Sequence, residues 1–133
     1  MKTQIKIGLS IFSFFWIMAC SSQTNDSSIS SVSPDELEQV ISDNDNLVIL
    51  DVRTPEEYSE GHIKDAVLID FMGEDFQKQI ENLDKSKTYA VYCKAGGRQQ
   101  KASVEMEALG FGKILLLDGG MTSWTAEGKP VEK

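Results

Sequence analysis

Thr88-Tyr89-Ala90-Val91-Tyr92-Cys93-Lys94-Ala95-Gly96-Gly97-Arg98 is the stretch from which the rest of the chain is best read. Thr88 to Tyr92 is a strand aimed at Cys93, and Arg98 to Leu109 has helical character, with Gly110 placed to cap its C-terminus. A cysteine between a strand and a helix start meets unpaired backbone N–H groups and the positive end of the helix dipole, which favour a thiolate. Gly96 and Gly97 let the loop curl so that successive N–H groups face one point, and Lys94 and Arg98 add positive charge there. These residue types in this order predict a nucleophilic thiol under an anion cradle. Such a thiol suits attack on an electron-poor sulfur and retention of the product as a persulfide. The bland alternative is a buried, inert thiol.

Working outward, elements alternate on both sides. Upstream, Ile29 to Ser33 is a weak strand. Ser33-Pro34-Asp35-Glu36 then supplies an N-cap, a proline at the first helical position and a capping-box glutamate. That helix is expected to reach about residue 42, with Leu37, Val40 and Ile41 inward. Leu47 to Val52 is a nearly continuous apolar run, as expected of a strand covered on both faces. Thr54-Pro55-Glu56-Glu57 repeats the helix-start pattern, Ala66 to Ile69 reads as a strand, and Asp75 to Leu83 forms an amphipathic helix through Phe76, Ile80 and Leu83. Downstream, Ile114 to Leu117 is the last strand, followed by a helix from about Gly120 to Glu127. Strands separated by helices predict an α/β domain, a mostly parallel five-stranded sheet with helices on both faces. In such sheets the reactive loops lie beyond the carboxyl ends of the strands, where Cys93 falls.

Cys93-Lys94-Ala95-Gly96-Gly97-Arg98 resembles the six-residue active-site loop of rhodanese domains. Leu50-Asp51-Val52-Arg53 with Glu56-Glu57-Tyr58 and Gly61-His62-Ile63 is similar to that family's N-terminal signature. Leu117-Asp118-Gly119-Gly120 with Trp124 is similar to its C-terminal one. The resemblance implies the three-layer rhodanese-like fold and a sulfurtransferase without cofactor. Cys93 would take sulfur from a small sulfur-containing anion such as thiosulfate, or from polysulfide. It would then pass the sulfur to a thiol, cyanide or a protein acceptor. The amides of Lys94 to Arg98 would hold the persulfide, and Arg98 would add charge stabilisation. Asp51 and Arg53 are expected to tie the strand end to neighbouring loops, His62 to be architectural rather than a base, and Asp118 and Trp124 to fix the last turn. The sequence departs from the family in having Lys64-Asp65-Ala66 after the histidine, without the common proline-glycine pair, and Met121 after the double glycine.

Two other classes compete. Phosphatases of the same fold use a cysteine-to-arginine loop one residue longer, and the four residues between Cys93 and Arg98 favour sulfur. A tethered binding or regulatory module is the second alternative, although modules of that kind have often lost the cysteine that this chain keeps.

The ends of the chain bear on location. Lys2 and Lys6 precede the apolar run Ile7 to Ala19, which is short for a bilayer span and reads as an export signal over residues 1–19. Ile17-Met18-Ala19-Cys20 resembles the lipobox of bacterial lipoproteins, which implies a lipid on Cys20 and a membrane-anchored, periplasmic domain in the cell envelope. Residues 20–32 are Ser-rich and read as a flexible tether, leaving 33–133 as one domain. With Cys20 acylated, Cys93 is the one remaining thiol, and a lone histidine beside it cannot make a metal site. The net charge of −8, or −10 without the leader's two lysines (11 basic against 21 acidic residues), argues against nucleic acid as a partner. A monomer is expected.

Overall fold

The computed structural model describes residues 27–133; the expected export signal, Cys20 and the tether up to residue 26 lie outside the described residues. Ten elements alternate along the chain. They are β1 (Ile29–Val32), α1 (Pro34–Asp43), β2 (Leu47–Asp51), α2 (Pro55–Glu60), β3 (Val67–Leu68), α3 (Phe76–Glu81), β4 (Thr88–Tyr92), α4 (Gly97–Ala108), β5 (Lys113–Leu117) and α5 (Gly120–Ala126). The strands form one sheet in the order β1-β5-β4-β2-β3, and every neighbouring pair is parallel. The α/β class and the five-stranded sheet are therefore as the sequence predicts.

The apolar runs alternate across the sheet, as a side-chain period of two requires. Leu50, Val52, Tyr89, Val91, Cys93, Ile114 and Leu116 face one side, where they meet Phe76 and Ile80 of α3 and Ala102 and Met106 of α4. Ile49, Ala90, Tyr92, Leu115 and Leu117 face the other, against Leu37 of α1 and Met121 and Trp124 of α5. Three layers result, with β4 and β5 central and buried on both faces.

Both helix starts form as capping boxes. Ser33 accepts from the Glu36 N–H while Glu36 accepts from the Ser33 N–H, and Thr54 and Glu57 repeat the exchange. The chain's last segment is tied to α1 by Lys129, whose ammonium donates to Asp35 and Glu38. The Trp124 indole donates to the Pro130 carbonyl at 2.9 Å, fixing the turn after α5.

Three expectations change. Ile41 is not inward but 38% exposed, at the rim of a cavity of about 440 Å³ that it lines with Leu47, Val48, Ile49 and Val67. The strand expected over Ala66 to Ile69 is shorter, Val67–Leu68, at the edge of the sheet beside β2, with the Ile69 N–H still donating to the Asp51 carbonyl at 2.9 Å. The stretch read as tether over 20–32 ends earlier, because the weak strand expected over Ile29 to Ser33 forms: Ile29 to Val32 pair with Ile114 to Leu117, and Ile29 packs on the core.

Asp65 is the one non-glycine at positive φ among the described residues, at 61°. It is the third residue of a turn closed by the Ala66 N–H on the Ile63 carbonyl at 3.0 Å, the position at which glycine carries no Cβ penalty. Its exposed side chain makes no hydrogen bond that replacement would forfeit. Asp65→Gly is expected to raise stability by about 0.5 kcal/mol, relief of left-handed strain exceeding the entropy cost of glycine. A shift of the urea midpoint to higher denaturant would verify it, and a shift the other way would contradict it.

Candidate active site

Cys93 follows β4 directly, at the carboxyl edge of the sheet, and is 2% exposed. The loop from Cys93 to Gly96 is held by groups from three directions. The Cys93 N–H donates to Gln99 Oε1 at 2.9 Å, and Gln99 Nε2 donates to the Leu117 carbonyl at 2.7 Å, tying the ends of β4 and β5 through one amide. The Cys93 carbonyl accepts from the Met121 N–H at 2.8 Å. The Lys94 carbonyl accepts from both the N–H and the hydroxyl of Thr122, each at 2.9 Å. The first turn of α5 thus satisfies two loop carbonyls with N–H groups that have no partner within the helix.

With those carbonyls turned toward α5, the Gly96 N–H reaches Cys93 Sγ at 3.0 Å. Gly96 adopts φ 127° as the N-cap of α4, a conformation that favours glycine. Gly120 is constrained differently: a Cβ there would lie 2.4 Å from the Cys93 carbonyl oxygen, at φ 58°. The close approach of α5 to the loop therefore depends on a hydrogen at that position. Lys94, Ala95 and Gly97 are exposed at the rim, and Lys94 borders a small cleft of about 170 Å³ with Arg53, Glu57, Glu60, Met121 and Thr122.

Arg98 turns back over the loop onto α2. Its two terminal nitrogens donate to the two Glu57 carboxylate oxygens at 2.7 and 2.9 Å, a bidentate pair whose side chains are 23% and 26% exposed. The Arg98 guanidinium holds the Glu57 carboxyl far below the usual carboxylate range, to about 2. Glu57 in turn raises Arg98, with smaller contributions from Cys93 and Asp70.

The second pair is buried. Arg53 donates to both Asp51 oxygens, at 2.9 Å and 3.1 Å from Nε and 2.6 Å from a terminal nitrogen, and to the Gly61 carbonyl at 2.7 Å. Burial works against the charged Arg53, but the Asp51 carboxylate outweighs it and its pKa rises. The guanidinium also lies 5.4 Å from the Tyr92 ring centroid. Burial pushes the Tyr92 phenol up strongly, and its oxygen accepts the Ile63 N–H. Asp51 and Arg53 thus join the end of β2 to the loop after α2.

His62 stacks on Tyr58, with ring centroids 3.8 Å apart, and its Nδ1 is 3.0 Å from the Tyr58 carbonyl. Its backbone pairs with Glu132 in both directions, so its contacts join the end of α2 to the C-terminal segment. Asp118 joins the end of β5 to β1 through its N–H, which donates to the Val32 carbonyl at 2.9 Å, while its exposed side chain makes no hydrogen bond among the described residues. No three His, Cys, Asp or Glu side chains among the described residues converge as metal ligands.

Gln99 and the Glu57–Arg98 pair are absent from the sequence reading. Gln99 left a signal: it precedes the buried Ala102, Ser103 and Met106 by three, four and seven residues, so a polar group stood on the inward stripe of α4. Glu57 left none beyond its capping role, because a contact across 41 residues has no local signature.

Comparison with known proteins places these features. The Rhodanese-like domain family model matches residues 33–127. A sulfurtransferase of Allochromatium vinosum is 26% identical over 77% of this chain and 94% of its own. The tRNA uridine(34) hydroxylase of Pelagibacter ubique is 37% identical over 70% of this chain, a match that covers only 31% of that enzyme. The crystal structure of a rhodanese-related protein from Thermoplasma volcanium superposes with a TM-score of 0.69 at 31% identity, covering 77% of this chain and 96% of that one.

Two outcomes follow from the geometry. Gly120→Ala is expected to cost about 2 kcal/mol through left-handed strain and the clash with the Cys93 carbonyl, and to expose Cys93 to thiol reagents; unchanged stability and reactivity would contradict it. The Glu57 carboxyl is depressed in the folded state, so its contribution is complete above its unfolded value near 4.5 and fades as pH falls toward 2. After discounting for solvent screening, wild type is expected to exceed Glu57→Gln by about 1 kcal/mol at pH 7, with the gap closing between pH 4.5 and 2. Denaturant titrations of both proteins across that window would measure it.

Proposed function

The chain belongs to the rhodanese-like domain family, and from that membership we propose that it is a sulfurtransferase carrying sulfane sulfur on Cys93. In the first half-reaction the Cys93 thiolate attacks the outer sulfur of a donor. With thiosulfate, the new S–S bond forms as the bond to the sulfonate sulfur breaks, and sulfite leaves with the electron pair. In the second, an acceptor attacks the terminal sulfur of the persulfide. Cyanide leaves as thiocyanate, a thiol leaves as a new persulfide, and Cys93 returns to thiolate.

The observation that carries this reading is the Gly96 N–H at 3.0 Å from Cys93 Sγ, in a loop whose two leading carbonyls are occupied by α5. A backbone donor fixed on the sulfur can hydrogen-bond an anionic sulfur species held at that position. His62 is assigned an architectural role. We assign persulfide stabilisation to the amides of Lys94 to Arg98, and anchorage to the cell envelope, with the domain in the periplasm, to a lipid on Cys20.

The purified chain, reduced and then exposed to thiosulfate or polysulfide, is expected to gain one sulfur atom on Cys93. Intact-mass measurement should find that adduct removed by cyanide or a thiol and absent from Cys93→Ser. A folded, reduced protein that takes up no sulfur from any donor would refute the carrier role and leave a binding module.

A further inference from the structure

We propose that Glu57 determines which sulfur donor this site accepts, by withholding the Arg98 guanidinium from small dianions so that a persulfide is preferred to thiosulfate. The inference rests on the Cys93 carrier reading and concerns only what loads it.

Three cations border the site, and two are already spent on carboxylates. Arg53 is bound at both oxygens of buried Asp51, and Arg98 at both oxygens of Glu57. Lys94 alone among the three makes no ion pair among the described residues, and it is exposed. Glu60 lines the same cleft as Glu57 and Lys94, and Asp70 lies close enough to add to the field on Arg98. The cleft beside the loop is therefore lined by Lys94 and Arg53 together with Glu57 and Glu60, and the Arg98 guanidinium is paired with a carboxylate, on a domain that is acidic overall. That field does not concentrate a dianion.

To use the Arg98 N–H groups that Glu57 holds, thiosulfate would have to displace a bidentate carboxylate, and at the remaining ones it would sit beside that carboxylate's charge. Protonation does not release Glu57 at neutral pH, because Arg98 holds its pKa near 2. A hydropersulfide, RS–SH, makes no such demand. The Cys93 thiolate bonds to its terminal sulfur, the S–S bond breaks, and RS⁻ leaves; no second negative charge has to be accommodated at Arg98. The sulfur itself is met by the Gly96 N–H, which depends on α5 and Gln99 rather than on the ion pair.

Glu57→Gln separates these demands. Glutamine keeps an oxygen for the Thr54 N–H, so the capping box of α2 survives while the charge is removed. Single-turnover loading of Cys93, followed by intact mass on the full chain, would be compared for thiosulfate and cysteine hydropersulfide. The ratio of thiosulfate to hydropersulfide rate constants is expected to rise by about tenfold or more in Glu57→Gln, with the increase shrinking as salt is added. Glu60→Gln, which makes the same charge change without touching Arg98, is expected to move the ratio less than about threefold. An unchanged ratio in Glu57→Gln, an equal rise in Glu60→Gln, or loss of loading by both donors in Glu57→Gln would overturn the assignment while wild-type loading left the carrier reading standing. No adduct from either donor in wild type and variants alike would overturn both.

Discussion

The contact on which the site depends is the docking of the first turn of α5 against the loop after β4. Two amides of α5 capture the carbonyls of Cys93 and Lys94, and Gly120 brings the two backbones within the distance at which a Cβ would collide. A short loop has few ways to place its peptide groups. Once its leading carbonyls are fixed outward, the N–H of Gly96 is left for the sulfur. Gln99 closes the arrangement by bridging the Cys93 N–H to the end of β5, so the thiol is positioned by two strands and two helices. Precision comes from backbone groups, and side-chain charge is a separate matter.

The two ion pairs near the site act differently because their surroundings differ. Asp51–Arg53 is buried, and Gly61 and the Arg53 N–H add further hydrogen bonds to it. Removing either partner would strand a charge in a low-dielectric interior, so this pair fixes the geometry of the strand end rather than adding much net stability. Glu57–Arg98 is partly exposed, and its strength comes from bidentate geometry. It can be broken without leaving a buried charge, which makes it suited to setting the site's electrostatics.

Local rules account for what was legible in the sequence. Ser33/Glu36 and Thr54/Glu57 read as capping boxes because every partner lies within three residues, and each forms. Leu47 to Val52 and Ile114 to Leu117 read as buried strands because covering both faces leaves no polar alternation. The cysteine loop was legible because its spacing is local. Ile41 misled because periodicity marks a helix face but not whether the neighbouring elements fill the space against it, and here a cavity lies there. How Asp118 acts was not legible, because its N–H does the holding and a sequence advertises side chains rather than main-chain donors.

Glu57 marks the boundary of what spacing can convey. In the sequence it belongs to a helix start, and it fulfils that role by accepting the Thr54 N–H. The same oxygen accepts from Arg98, so one carboxylate couples the segment after β2 to the loop after β4. Parallel strands make this possible, because β2 and β4 are direct neighbours whose carboxyl ends lie side by side. A motif that preserves the loop's cysteine and arginine therefore fixes the nucleophile but not the charge it presents. That charge depends on what the adjacent loop places against the arginine, and here it places a carboxylate that stays ionised at neutral pH.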